Sequence, residues 1–173
     1  MPSVIERRRR WQDFYRAHRE WTSSLLLLPV CCYFALNRGE YTLVDSADLV
    51  IHEAGHFFFR FFGRFILYAG GTLMQLLLPG LLVWHFWRHG YRLGVQLSML
   101  WLGQNLINVS VYAADARARR LPLLGGDIGE HDWWNLLRMV DLLAYDQVIG
   151  TFFFAGALLV FAMLLAVPRF LWD

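Results

Sequence analysis

Apolar blocks separated by short polar breaks run through most of the chain, and they predict an all-α polytopic membrane protein with about five crossing helices. The blocks fall at about residues 22–36, 43–62, 72–87, 93–114 and 148–167. The first is short for a bilayer but can extend through Trp21 and Asn37. A polar turn at 37–42 ends it, and Asp45 or Ser46 is the expected N-cap of the second. Residues 65–71, with Gly70-Gly71, read as an extended or re-entrant connection, and Pro79-Gly80 should kink the third block. A polar loop at 116–130 precedes a surface helix expected from His131 to about Tyr145.

The domain organisation follows. Residues 1–21 form a basic segment, with Trp11, Phe14, Tyr15 and His18 at the spacing of a helix lying on the membrane surface. Residues 22–173 form one transmembrane domain, with a three-helix core at about 43–116, a loop and surface helix at about 116–147, and a last span at about 148–167.

Composition sharpens this picture. The hydrophobic share is 57% over 173 residues, above that of a soluble globule. All 16 basic residues are arginine, and they follow the expected membrane boundaries without forming a separate patch, so no nucleic-acid partner is expected. With five spans, Arg7 to Arg10, Arg16, Arg19, Arg60, Arg64, Arg117, Arg119, Arg120 and Arg138 share one side, which predicts a cytoplasmic N-terminus and an outside C-terminus. Cys31 and Cys32 are adjacent within an apolar block and read as small hydrophobes.

One segment carries a nameable chemistry. His52-Glu53-Ala54-Gly55-His56 reads H-E-x-x-H, which on a helix places two imidazoles on one face with a glutamate beside them. The pattern is that of a zinc site with a glutamate base. Ionisable groups inside hydrocarbon are costly, at about 2.5–3.5 kcal/mol each on insertion scales, and a bound cation would compensate for them.

Zinc in a peptidase takes three protein ligands and a water, so another segment must complete the site. Gln104, Asn105, Asn108, Tyr112 and Asp115 recur every three or four residues and form a polar stripe that must face the bundle interior. Asp115, at the end of the stripe, is the favoured third ligand, with Asp127, His131 and Asp132 as the alternatives. Asp48, one turn before His52, is a candidate acceptor for the second ring nitrogen of that histidine. Asn108, or less readily Gln75, is a candidate oxyanion donor. His85 and His89 also stand four apart and raise a di-iron oxygenase, but they fall at the far end of the third span and six histidines are too few.

These residues resemble the site-2 protease class of intramembrane zinc metallopeptidases, the M50-like group, over about residues 45–116. His52, Glu53 and His56 match its first motif. Gly70-Gly71-Thr72-Leu73-Met74-Gln75 is similar to its A-G-P-x-x-N turn, with threonine for proline and glutamine for asparagine. Asn105-Leu106-Ile107-Asn108 followed by Asp115 is similar to its N-x-x-P-x-x-x-L-D-G segment, without the proline and with Ala116 for the glycine. The stretch from Tyr112 to Trp133 also resembles a group of small bacterial membrane proteins. The resemblance implies a hydrolase of the bacterial inner membrane that cuts a transmembrane-helix or membrane-associated peptide. Glu53 would be its base, and His52, His56 and Asp115 would hold Zn2+. The rival expectation is a non-catalytic metal-binding or helix-binding relative.

Overall fold

A computed structural model describes residues 6–12, 21–122 and 131–171. No strand occurs among them. The helices are α1 (Thr22–Leu36), α2 (Leu43–Phe59), α3 (Arg64–Arg88), α4 (Arg92–Ala114), α5 (Asp132–Met139) and α6 (Asp146–Ala166). Short 3-10 turns follow α2 and flank α6, at Arg60–Phe62, Leu143–Tyr145 and Val167–Arg169. Residues 6–12 are also helical. Phe14, Tyr15 and His18 of the expected surface helix lie outside the described residues.

Side-chain contacts set the directions of the helices. Ser24, near the start of α1, accepts from Gln96 near the start of α4, and Arg38, just past the end of α1, donates to the Ser110 carbonyl near the end of α4. α1 and α4 are therefore parallel. α3 and α4 form an antiparallel hairpin, with Phe86 against Tyr91 at its closed end and Gln75 reaching Asn105 and Asn108 further along. α6 returns antiparallel to α4, since Gly150 lies against Ser110 and Ala114, Phe161 against Gly103, and the Leu164 carbonyl accepts from Gln96.

The apolar core lies mainly between α4 and α6, where Val95, Met99 and Ile107 meet Ala157, Phe161 and Leu164, with Cys31 of α1 joining them. Two stretches, Arg64–Arg88 and Leu143–Arg169, are long and apolar enough to cross a membrane.

α2 departs from the expected order. It begins beside the C-terminal half of α4, where Asp45 accepts from Gln104 and Asn108, and it ends beside the start of α3, where His56 meets the Leu67 carbonyl. Both of its ends therefore lie toward the same end of the bundle, and it dips obliquely between them. α1, α3, α4 and α6 run along the bundle, and among the described residues only the two stretches named above are long and apolar enough to cross a membrane. The start of α1 and the end of α6 come together at the opposite end, where Gln96 reaches both Ser24 and the Leu164 carbonyl. The physical reason for the course of α2 is its own face. Asp45, Asp48 and His52 are buried against partners on α3 and α4, and that polar stripe holds the helix where those partners are.

Two local expectations also change. Thr42, not Asp45 or Ser46, caps α2, since its backbone N–H and its Oγ1 both donate to Asp45 Oδ2 at 2.6 Å. Residues 65–71 are helical, and α3 continues through Pro79. Gly70 and Gly71 read as turn-formers because glycine is permissive, but here they make room for a neighbour. A Cβ on Gly55 would strike the Gly70 backbone, and one on Gly70 would lie 2.9 Å from the Gly55 carbonyl oxygen. α2 and α3 thus cross in backbone contact at Gly55, within the turn that carries His52 and His56.

Candidate metal centre

The i, i+4 spacing on α2 brings the His52 and His56 rings to a centroid distance of 4.8 Å. Asp132, the first residue of α5, faces both, with Oδ2 at 2.9 Å from His52 Nε2 and 3.1 Å from His56 Nε2. Together these three form a group whose ligand atoms all lie within 4.8 Å of one another and which could hold a metal ion. His52 and Asp132 are buried and His56 is partly so.

Hydrogen bonds further out decide which nitrogen of each ring carries the proton. Asp45 Oδ1 accepts from the Asn108 amide at 3.0 Å, and a carboxylate can only accept, so Asn108 turns its oxygen toward Gln75. Gln75 donates its amide to that oxygen at 3.3 Å and to the Asn105 oxygen at 3.2 Å. Asn105 is oriented in the same way, because its amide donates to Asp48 Oδ1. Gln75 Oε1 is thereby left to accept from His52 Nδ1 at 2.8 Å. His56 Nδ1 donates to the Leu67 carbonyl at 2.7 Å. Each neutral imidazole therefore presents an Nε2 lone pair to Asp132 Oδ2. Three electron-rich atoms face one another, and only a cation, either a proton or a metal, relieves that arrangement. The donor set of two imidazoles and a carboxylate fits zinc with an open fourth position.

Asp132 is itself held firmly. Its backbone N–H donates to the Tyr112 hydroxyl at 3.0 Å, and the hydroxyl lies 3.4 Å from Oδ2. His131 caps α5 by accepting the Trp134 N–H at its Nδ1, which leaves the proton on Nε2, 3.4 Å from Asp115 Oδ2. Burial pushes the His131 imidazole below its ordinary value against the opposing pull of Asp115, so it is a neutral brace. Burial alone would raise the Asp132 carboxyl, but the His52 and His56 rings, when each carries a proton on the Nε2 that faces it, outweigh burial and hold the group below the usual carboxylate range.

The sequence-derived candidates separate accordingly. His52, His56 and Asp132 come together. Asp115, the favoured third ligand, does not join them, because its carboxylate closes the turn after α4 by accepting from the Arg120 and Leu121 backbone amides at 2.9–3.0 Å. His131 points its free ring nitrogen at Asp115, away from the group, and Asp127 lies outside the described residues. Asp48 is not the acceptor for His52, because it is occupied by Trp101 Nε1 at 2.7 Å and by Asn105. Asn108 has both ends of its amide engaged and serves as an orienting residue. Gln75 takes the place expected of Asp48. Glu53 is exposed and lines the same cavity as the three ligands. His85 and His89 have ring centroids 4.4 Å apart at the far end of α3 and join no group of three potential ligands among the described residues.

Sequence reasoning missed the outer partners Gln75 and Leu67 and the glycine crossing that brings them close. The available signal was the set Gly55, Gly70 and Gly71, since glycines on two adjacent helices suggest close approach as well as a turn.

Two outcomes follow from this geometry. A Cβ at Gly71 would collide with the His52 ring. Gly71→Ala should therefore weaken metal binding and destabilise the fold by about 1–3 kcal/mol, as overpacking does; metal titration and thermal melting would check both. Gln75→Leu should lower metal affinity about 10–100-fold through loss of the His52 orientation, with the helical content unchanged. A competition titration against a chelator measures it.

Neither a protein-family model, nor a curated protein, nor a solved structure matches this chain.

Proposed function

We propose that the chain is an integral membrane zinc metallopeptidase of the site-2 protease-like kind, divergent in the origin of its third ligand. The observation that supports this most directly is the convergence of the His52, His56 and Asp132 lone pairs beside Glu53 in one cavity of about 510 Å³. Membrane crossings by α3 and α6 suit their length and apolarity, with α1 and α4 packed alongside and α2 inserted part-way.

A zinc ion held by these three groups would supply a polarised water with a pKa near 7 and a Lewis acid for the scissile carbonyl. Glu53 takes the proton of the attacking water and returns it to the leaving amine. Tyr112, whose hydroxyl sits beside the liganding oxygen, donates to the oxyanion as charge develops, the role first expected of Asn108. Asp45, Asn108 and Gln75 keep His52 in the liganding tautomer. Tyr112→Phe should reduce kcat by about 10²–10³ with KM nearly unchanged, the scale of losing one oxyanion donor. The comparison is made at saturating zinc, because the same hydroxyl accepts the Asp132 N–H and its loss should also lower zinc affinity, by about 10–100-fold.

The test is zinc content by mass spectrometry together with turnover of membrane-associated and soluble peptides by the purified protein in bilayer discs. Stoichiometric zinc with no cleavage of any of them would leave a metal-binding or helix-binding membrane protein.

A further inference from the structure

The geometry points to a binding site for an anionic phospholipid at the elbow between α2 and α3, where the lipid clamps together the two segments that carry His56 and its hydrogen-bond acceptor. The inference rests on the membrane part of the proposed function and is independent of peptide cleavage. Its first support is the surface of the elbow. The run Phe57-Phe58-Phe59-Arg60-Phe61-Phe62-Gly63-Arg64-Phe65 leaves α2, and Gly63, at φ 88°, turns the chain into α3. Phe57, Phe58, Phe61 and Phe62 are each more than half exposed, so this short stretch needs an apolar partner from outside the chain. The Arg60 guanidinium lies over the Phe57 ring at 4.5 Å and the Phe61 ring at 4.7 Å, which sets charge and apolar surface on one face. Arg60 and Arg64 are exposed, and neither is paired with a carboxylate or a hydrogen-bond acceptor among the described residues. Two unopposed guanidiniums beside phenylalanine rings complement a phosphodiester that carries acyl chains, because the guanidinium fork matches phosphate oxygens.

The second support is depth. α3 has 25 residues and is one of the two stretches long and apolar enough to cross a membrane. At 1.5 Å per residue it reaches about 37 Å, beyond the roughly 30 Å of a hydrocarbon layer, so its ends extend to the headgroups. Arg64 is its first residue and therefore stands where lipid phosphates lie.

The third support is what the elbow holds. His56 stands one turn before Arg60, Leu67 stands one turn after Arg64, and the 2.7 Å bond from His56 Nδ1 to the Leu67 carbonyl joins the two segments. A phosphate gripped by both arginines spans the same two segments. It thereby favours the ring position in which His56 Nε2 faces Asp132, and zinc and lipid should strengthen each other's binding by the same factor.

The experiment uses the full chain purified in detergent micelles. Short-chain phosphatidylglycerol and phosphatidylcholine are titrated in and counted by native mass spectrometry, with glycerol phosphate as the headgroup alone. Zinc affinity is measured by chelator competition with and without saturating phosphatidylglycerol. The wild type should bind phosphatidylglycerol saturably and at least about tenfold more tightly than either phosphatidylcholine or glycerol phosphate, and the lipid should tighten zinc binding at least about fivefold. Arg60→Gln/Arg64→Gln should lose both effects with helical content unchanged, while Arg88→Gln, at the other end of α3, should keep both. Equal loss in Arg88→Gln would reduce the effect to general charge and overturn the inference, as would glycerol phosphate binding as tightly as the lipid. Lipid binding that leaves zinc affinity unchanged would refute the clamp. A stable dimer that binds no lipid and dissociates on Phe61→Ser/Phe62→Ser substitution would give the face to a second copy instead. If no zinc binds, the peptidase reading fails, while the lipid preference and its loss in Arg60→Gln/Arg64→Gln still decide the lipid site. All the expected effects without cleavage of any peptide would likewise refute the peptidase reading alone.

Discussion

Asp132→Ala should abolish stoichiometric zinc binding, whereas Asp115→Ala should retain it. Asp132 supplies the one oxygen that both Nε2 atoms face at 2.9 and 3.1 Å, and its loss leaves two imidazoles and no anionic ligand. The fall in affinity should exceed the roughly 100-fold that removing an outer hydrogen bond produces. Asp115 instead holds the turn at Arg120 and Leu121, so its removal should lower thermal stability by about 1–3 kcal/mol while the metal stays. Mass spectrometry of both purified variants, with melting curves, separates the two roles. The reverse pattern, with zinc lost from Asp115→Ala and kept by Asp132→Ala, would refute the assignment of the third ligand. Acidification should release the metal from the wild-type protein, because protonated imidazoles cannot bind it.

Glu53→Gln should keep zinc at one per chain and lower turnover by about 10²–10⁴, the usual contribution of a positioned general base. Glu53 makes the separation clean because it lines the cavity but is not one of the three grouped ligands. Glutamine preserves size and hydrogen bonding but cannot accept the water's proton. The measurement pairs metal content with a single-turnover peptide assay in bilayer discs. Undiminished turnover would remove Glu53 from the chemistry, and loss of zinc would make it a structural support of the metal.

Much of the helical layout was legible because it is local. Apolar blocks predicted at 22–36, 93–114 and 148–167 correspond to α1, α4 and α6 within a residue or two, since hydropathy and helical period are properties of neighbouring residues. Gln104, Asn105 and Asn108 could be assigned to the interior because a polar stripe on an otherwise apolar helix has to find partners. The glycines misled for an equally physical reason. A Gly-Gly pair permits a turn and also permits helix contact, and only the neighbour that arrives, here Gly55 on α2, decides between them.

The sequence by itself determined the pairing of His52 and His56 with Glu53 between them, because positions four apart on one helix share a face whatever surrounds them. Tertiary structure alone decided which carboxylate joins the two histidines, the tautomer of each ring and the course of α2. Asp132 lies 80 residues from His52, and it competed in the sequence with Asp115, Asp127 and His131, all equally able to coordinate. What selects it is the Tyr112 hydroxyl on its backbone, the His131 cap beside it and the glycine crossing that sets the depth of α2. These contacts join segments distant in sequence, and no periodicity encodes them.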